Sequence, residues 1–147
     1  MGPEDKLEII VDTREQTPWN FDPARFVATR RGLTTGDYSL SGLEDRVAIE
    51  RKGLGDFVNT VIRDWLRFRK ELIRLSGFDV AAIVVEANLQ DIVEHRYESE
   101  ANPSSVLGKM SGIMLDHGIP VVLWGDRVLA GQMAGKFLLQ AWRKLGS

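Results

Sequence analysis

A chain of 147 residues, 44% hydrophobic and 27% charged, supplies one hydrophobic core and leaves no room for a second sizeable domain. Its net charge of −2 repels phosphate on average, so any nucleic-acid surface must be local. The absence of cysteine excludes disulfides and thiolate metal sites, and no apolar run approaches the roughly 20 residues of a membrane span. The opening MGPEDKLEII lacks the basic and long apolar regions of a signal peptide, and together these features point to the cytoplasm and away from a membrane.

Residues 1–6 read as a flexible polar tail and residues 7–147 as a single domain. Residues 7–12, rich in Ile and Val, predict a first strand, and Thr13–Ala24, with Pro18, Asn20 and Pro23, predicts a loop. Phe26–Arg30 alternates and is expected to pair with that first strand. Arg31-Gly32 then turns the chain toward a strand at Tyr38–Leu40, and Ser41–Asp45 turns it into another at Val47–Lys52, giving an antiparallel meander. Gly36 directly before Asp37 marks a bulge or close approach that re-aims the Asp37 side chain.

The spacing of Val58, Val61, Ile62, Trp65, Leu66, Leu72 and Ile73 predicts one long helix over about Leu54–Leu75. The nearly continuous apolar run Val80–Val85 suits a parallel strand covered on both faces. Asn88 caps a short helix at Leu89–His95, and Asn102 with Pro103 opens another running to about Asp116. Ile119–Leu123 is the last strand, and Asp126 caps a final helix to about Lys144. The order is that of an α/β domain.

Val47–Lys52 (VAIERK) carries the chemistry. Strand alternation puts Glu50 and Lys52 on one face, Val47 and Ile49 on the other, and Arg51 opposite Glu50. An acid and an amine side by side, with Asp37 just upstream, suit a phosphodiesterase site. Carboxylates bind a hard divalent cation through oxygen, and an ammonium positions the attacking water. Asp12 ends a buried strand, where open α/β sheets commonly place ligand groups. Arg14 and Glu15 either pair to order the loop, or Arg14 holds the scissile phosphate. Asp56 either favours the helix dipole from the first turn or supports the site.

Between residues 51 and 74, Arg51, Lys52, Arg63, Arg67, Arg69, Lys70 and Arg74 outnumber Asp56, Asp64 and Glu71 by four charges. Arg63, Arg67, Lys70 and Arg74 recur at helical spacing, as a solvated face or as a row of phosphate contacts. His95 and His117 have no ligand spacing, and no Gly-rich phosphate loop calls for a nucleotide.

Gly36-Asp37-Tyr38, then Glu50-Arg51-Lys52, then Asp56 after three residues, resembles the signature of the XPF/Hef structure-specific endonuclease domain, a branch of the PD-(D/E)XK nucleases. Ile9-Ile10-Val11-Asp12-Thr13-Arg14-Glu15 is similar to that family's opening strand. The specific motifs span residues 7–75, with a looser likeness through Val84-Val85-Glu86 and Ile119–Val122. The resemblance implies a restriction-endonuclease-like mixed sheet, an antiparallel meander followed by parallel strands, flanked by helices. It implies metal-dependent cleavage of DNA, branched or flap-like, with Mg²⁺ or Mn²⁺ on Asp12, Asp37 and Glu50. Lys52 and Arg51 join the catalytic set, Arg14, Glu15 and Asp56 support it, and Arg63, Arg67, Lys70 and Arg74 meet DNA.

No helix-hairpin-helix module of the kind such proteins carry is read after the nuclease motifs. The expectation is a stand-alone or excised catalytic domain, or one whose partner supplies the DNA-binding modules. The resemblance also implies pairing through the later helices. Val128, Leu129, Met133, Phe137 and Leu138 form an apolar stripe wide enough for a homodimer, with Ala130, Gly131, Ala134 and Gly135 allowing close approach. The rival readings are a non-catalytic DNA-binding or scaffold module and an enzyme acting on RNA.

Overall fold

The computed structural model describes residues 5–146. Residues 1–4 of the expected polar tail lie outside the described residues; Asp5 and Lys6 are exposed. Strands β1 (Leu7–Val11), β2 (Phe26–Arg30), β3 (Tyr38–Leu40) and β4 (Val47–Gly53) come first, then helices α1 (Leu54–Ile62) and α2 (Trp65–Ser76). The second half runs β5 (Val80–Glu86), α3 (Leu89–Val93), α4 (Pro103–His117), β6 (Val121–Leu123) and α5 (Arg127–Leu145). All six strands join one mixed sheet in the order β2-β1-β3-β4-β5-β6.

β1, β3 and β4 form the antiparallel meander, and β4, β5 and β6 run parallel. β2 departs from expectation: it pairs with β1 in parallel, Leu7 opposite Phe26 and Val11 opposite Arg30. A parallel return needs a crossover of about a dozen residues, and residues 12–25 supply it, whereas a hairpin would need only a tight turn.

Two cores cover the sheet. Phe57, Val61, Phe68, Leu72, Val106 and Ile113, from α1, α2 and α4, pack on Ala48, Ile83 and Val85. Trp19 and the α5 residues Ala130, Ala134, Leu138 and Ala141 pack on Ile9, Val11, Ile49 and Val84. The central strands thus alternate between two buried faces, which is why β5 reads as a continuous apolar run. Helix starts fall where their caps predict them: Asn88 makes a capping box, Asn102 and Asp126 each accept a backbone N–H, and Gly118 closes α4 at φ 66°.

The single helix expected over 54–75 is two. Both Arg63 and Asp64 donate their N–H to Asn59 O, at 2.9 and 3.2 Å, and Asp64 leaves helical backbone at ψ 27°. The break rotates the second apolar face. Phe68, Leu72 and Leu75 reach the core, while Leu66 and Ile73, assigned to the buried stripe by spacing, are 77% and 58% exposed.

The glycines of α5 serve this chain's own packing. A Cβ on Gly131 would stand 3.2 Å from Trp19 Cβ, and one on Gly135 would stand 3.3 Å from the Phe26 ring. Among the described residues no helix is long and apolar enough to cross a membrane.

Candidate active site

Asp37 is aimed by backbone. Gly36 sits at φ 82°, and a Cβ there would lie 3.0 Å from Ala48 Cβ and 3.3 Å from Ile49 O, so only glycine fits. That conformation lets Asp37 donate its N–H to Ile49 O at 2.8 Å and accept the Arg51 N–H on Oδ2 at 2.8 Å. Asp12 N–H donates to Asp37 O at 2.9 Å, which pins the end of β1 beside it.

Glu50 projects from β4 toward α2 and is 9% exposed. Its carboxyl is pushed up to about 9, first by burial, then by the charge and hydrogen bonding of Asp37, with the Lys52 ammonium pulling the other way. Without a cation Glu50 therefore holds its proton beside Asp37. Glu71 of α2 adds its negative charge to the same side, a neighbour that sequence spacing did not single out. Lys52, on the same face as Glu50, holds its Nζ 5.3 Å from the centroid of the Phe68 ring, so α2 fixes the ammonium beside the acid pair.

This pair makes the metal-free fold pH-dependent. Because the folded carboxyl of Glu50 binds its proton more tightly than the unfolded one, its contribution to stability is fullest below about pH 4.5 and is lost as pH rises through about 9. Glu50→Gln is therefore expected to raise metal-free stability at neutral pH by on the order of 3 kcal/mol and to flatten its pH profile. Thermal unfolding in chelator at pH 5, 7 and 9 measures it; parallel profiles for the two proteins would contradict the buried pair.

Arg51, grouped with the catalytic residues by resemblance, lies on the opposite face of the sheet and away from the acid pair. Its Nε and Nη2 donate to the two oxygens of Glu86 at 3.0 and 3.2 Å, and Nη1 donates to Glu15 Oε2 at 2.9 Å and Thr17 O at 2.8 Å. Its Cζ stands 4.9 Å from the ring centroid of Trp19, whose indole donates to Glu86 at 2.9 Å and whose ring stacks on Tyr38 at 4.5 Å. The Tyr38 hydroxyl donates to Glu15 at 2.6 Å, and burial keeps that phenol protonated. Glu15 thus belongs to the Arg51 anchor and not to an Arg14 pair. The site consists of one strand used three ways: side chains 50 and 52 face the acids, the backbone of 51 orients Asp37, and side chain 51 ties down the 13–19 loop.

Asp12, expected among the metal ligands, has its carboxyl engaged by protein donors. It is 1% exposed, and its oxygens are taken by Leu33 N–H at 2.9 Å and Arg14 Nε at 2.7 Å. Burial works against its charged form, but those donors outweigh it and hold the carboxyl below the usual range. Among the described residues no group of three or more acids or histidines is arranged to hold a metal ion. The acids that meet are two, Asp37 and Glu50. Asp56 is exposed in the first turn of α1, where its charge suits the helix dipole. Arg67, Lys70 and Arg74 are exposed along α2, and Arg63 sits at the α1–α2 break rather than on the same row. Glu71, which faces Glu50, is paired with Arg74 at 3.7 Å, so this row borders the acid pair.

Residues 11–133 match the ERCC4 domain. The chain belongs to the ERCC4 domain family. Over 120 residues it is 31% identical to a putative ATP-dependent RNA helicase of Methanocaldococcus jannaschii, a match covering 82% of this chain and 14% of that protein. Its fold is that of XPF from Aeropyrum pernix, with a TM-score of 0.74 at 23% identity over 95% of this chain and 64% of that one. The same XPF in complex with DNA superposes with a TM-score of 0.68 at 21% identity, covering 95% and 66% of the two chains. This ERCC4 domain thus spans a small part of the helicase-named relative and less than two thirds of the A. pernix chain.

Proposed function

We propose that this ERCC4 domain is a divalent-metal-dependent endonuclease that hydrolyses phosphodiester bonds in branched or flap-like DNA. The observation that carries this reading is the buried Glu50 carboxyl beside Asp37, with Lys52 on the same face. Two carboxyls held together at the cost of a trapped proton suit a cation, and as hard oxygen donors beside an open basic row Asp37 and Glu50 would hold Mg²⁺ or Mn²⁺. Held by Asp37 and Glu50, the ion would supply Lewis-acid polarisation of the phosphate and acidify water.

The chain's own residues do the rest. Arg51 N–H keeps Asp37 Oδ2 in place, and Glu50 would have to be ionised to hold a cation. Lys52 orients the attacking water or offsets charge on the phosphate in the transition state. Water oxygen bonds to phosphorus, the bond to O3′ breaks with its electron pair, and O3′ takes a proton, leaving a 5′-phosphate and a 3′-hydroxyl. DNA as substrate is supported by the fold shared with the DNA-bound A. pernix XPF. Cleavage of labelled duplex, flap, fork and single-stranded DNA, and of matched RNA, with and without Mn²⁺ tests the reading. Tight DNA binding with no turnover on any of them would leave a recognition module in its place.

The α2 row and Arg63 at the break before it supply the phosphate contacts in this reading. Replacing Arg63, Arg67 and Lys70 together by Ala is expected to weaken binding to all DNA sequences alike. The salt dependence should flatten by roughly one unit of slope per lost contact. An unchanged slope in fluorescence anisotropy would return the row to a solvated helix face.

A homodimer through the second half fits the same reading. Leu129 and Met133 on α5, and Met114 and Leu115 on α4, stay exposed after the core is filled. Light scattering at micromolar concentration is expected to give twice the chain mass, falling to one with Leu129→Glu and Met133→Glu together. A monomer mass for the unaltered chain would end the dimer.

A further inference from the structure

We propose that Asp12 is a positioning residue that holds the Arg14 guanidinium ready to bind the substrate phosphate beside the Asp37–Glu50 pair. The proposal rests on the endonuclease reading above and deepens it.

An Arg side chain that is 75% exposed ordinarily samples many rotamers, because nothing offsets the entropy of fixing it. Arg14 is fixed at both ends of its fork. Its Nε donates to Asp12 Oδ2 at 2.7 Å, and its Nη2 donates to Leu33 O at 3.1 Å. Asp12 is itself immobile, buried at the end of β1 with Oδ1 accepting the Leu33 N–H at 2.9 Å. One carboxylate therefore clamps the Arg14 turn and the 31–37 segment that delivers Asp37.

A guanidinium has five N–H donors, and these two bonds leave the others open to solvent. Those open donors present a flat, bidentate edge of the kind that matches two phosphate oxygens. The edge lies where the reaction needs it. The charges of Asp37 and Glu50 both reach Arg14, after the larger hydrogen-bond and charge effects of Asp12. Neither acid bonds it, so the guanidinium is close to the site without being consumed by it. A buried acid at this strand end thus acts through its neighbour two residues on, and the two-acid cation site needs no third carboxylate.

The test separates a ligand from a positioner, using the whole 147-residue chain. Calorimetric titration with Mn²⁺ alone is expected to give Asp12→Asn an affinity within about twofold of the unaltered chain, while Asp37→Asn loses most of it. Asp12→Asn and Arg14→Ala should each lower kcat/KM by about 100-fold, and the double variant should be no worse than Arg14→Ala. Arg14→Lys, which keeps charge but not the fork, should recover little. On the Asp37→Asn background, Arg14→Ala should reduce the salt slope of DNA binding by roughly one unit.

A Mn²⁺ affinity lost in Asp12→Asn as in Asp37→Asn would make Asp12 a ligand and overturn the proposal. Additive losses in the double variant would overturn it too. Should Asp12→Asn fail to fold, Arg14→Ala decides: unchanged kcat/KM and unchanged salt slope end the proposal. If the unaltered chain cuts no substrate, the endonuclease reading fails by itself, and the salt slope still decides whether Arg14 holds a phosphate.

Discussion

Asp37→Asn, Glu50→Gln and Lys52→Ala should each lower the rate of single-turnover DNA cleavage by about a thousandfold or more, with the fold intact. The size follows from what each group supplies. In the proposed reading the two acids would hold the cation, and without either one the phosphate would lose its main source of charge stabilisation. Lys52 is the one ammonium that β4 alternation and the Phe68 ring fix beside them. The fold survives for a specific reason: Glu50 is protonated without metal, so glutamine replaces a neutral group of similar shape. Asn at position 37 still offers one oxygen to the Arg51 N–H.

The variants differ in a second measurement. Mn²⁺ affinity should collapse for the two acid variants and fall far less for Lys52→Ala, because an ammonium does not ligate a cation. Circular dichroism and the unfolding midpoint control for structure. Full activity of Asp37→Asn at saturating Mn²⁺ would remove the acid pair from the chemistry.

The residues in these variants were readable from sequence because each rests on a local rule. Strand alternation has a period of two, so Glu50 and Lys52 could only share a face, and Arg51 could only oppose them. Gly36 before Asp37 signalled a backbone that no side chain tolerates, and the structure places it at φ 82° against Ala48. Caps at Asn88, Asn102 and Asp126 are likewise local.

What sequence did not show is long-range. The alternation of Phe26–Arg30 identifies a strand but not its direction, and its parallel pairing depends on where the 12–25 loop returns. Apolar residues recur at helical spacing through 54–75, but the break turns the second face so that Leu66 and Ile73 miss the core; the shared Asn59 carbonyl and the Asp64 backbone mark it. Glu86 is 35 residues from Arg51, and Glu71 reaches Glu50 from another element. The expectation of Asp12 as a ligand rests on its place at a strand end, and its hydrogen bonds were not legible. Its donors, Leu33 N–H and Arg14 Nε, come from the local turn and a segment 21 residues on.

Arg51→Ala should destabilise the fold by on the order of 3–5 kcal/mol, the cost of stripping one partner from a buried ion pair. The surroundings justify the larger figure. The Arg51 side chain is 11% exposed, and those of Glu15 and Glu86 are 16% exposed, so this is not a solvent-screened surface pair. Removing the guanidinium leaves two carboxylates confined near Trp19 and Tyr38 and takes from the 13–19 loop the donor that holds its Thr17 O. In thermal unfolding the loss corresponds to a Tm lower by about 10 °C or more for a domain of this size. Arg51→Met with Glu15→Gln and Glu86→Gln should recover part of it, since neutral partners no longer need the missing charge. Mn²⁺ affinity below the transition should fall much less than in Asp37→Asn, because the bond that orients Asp37 comes from the Arg51 backbone and survives the substitution. An Arg51→Ala protein with an unchanged urea midpoint would mean the anchor holds nothing. One with normal stability but no Mn²⁺ binding would instead return Arg51 to the catalytic face, against the geometry that places it across the sheet.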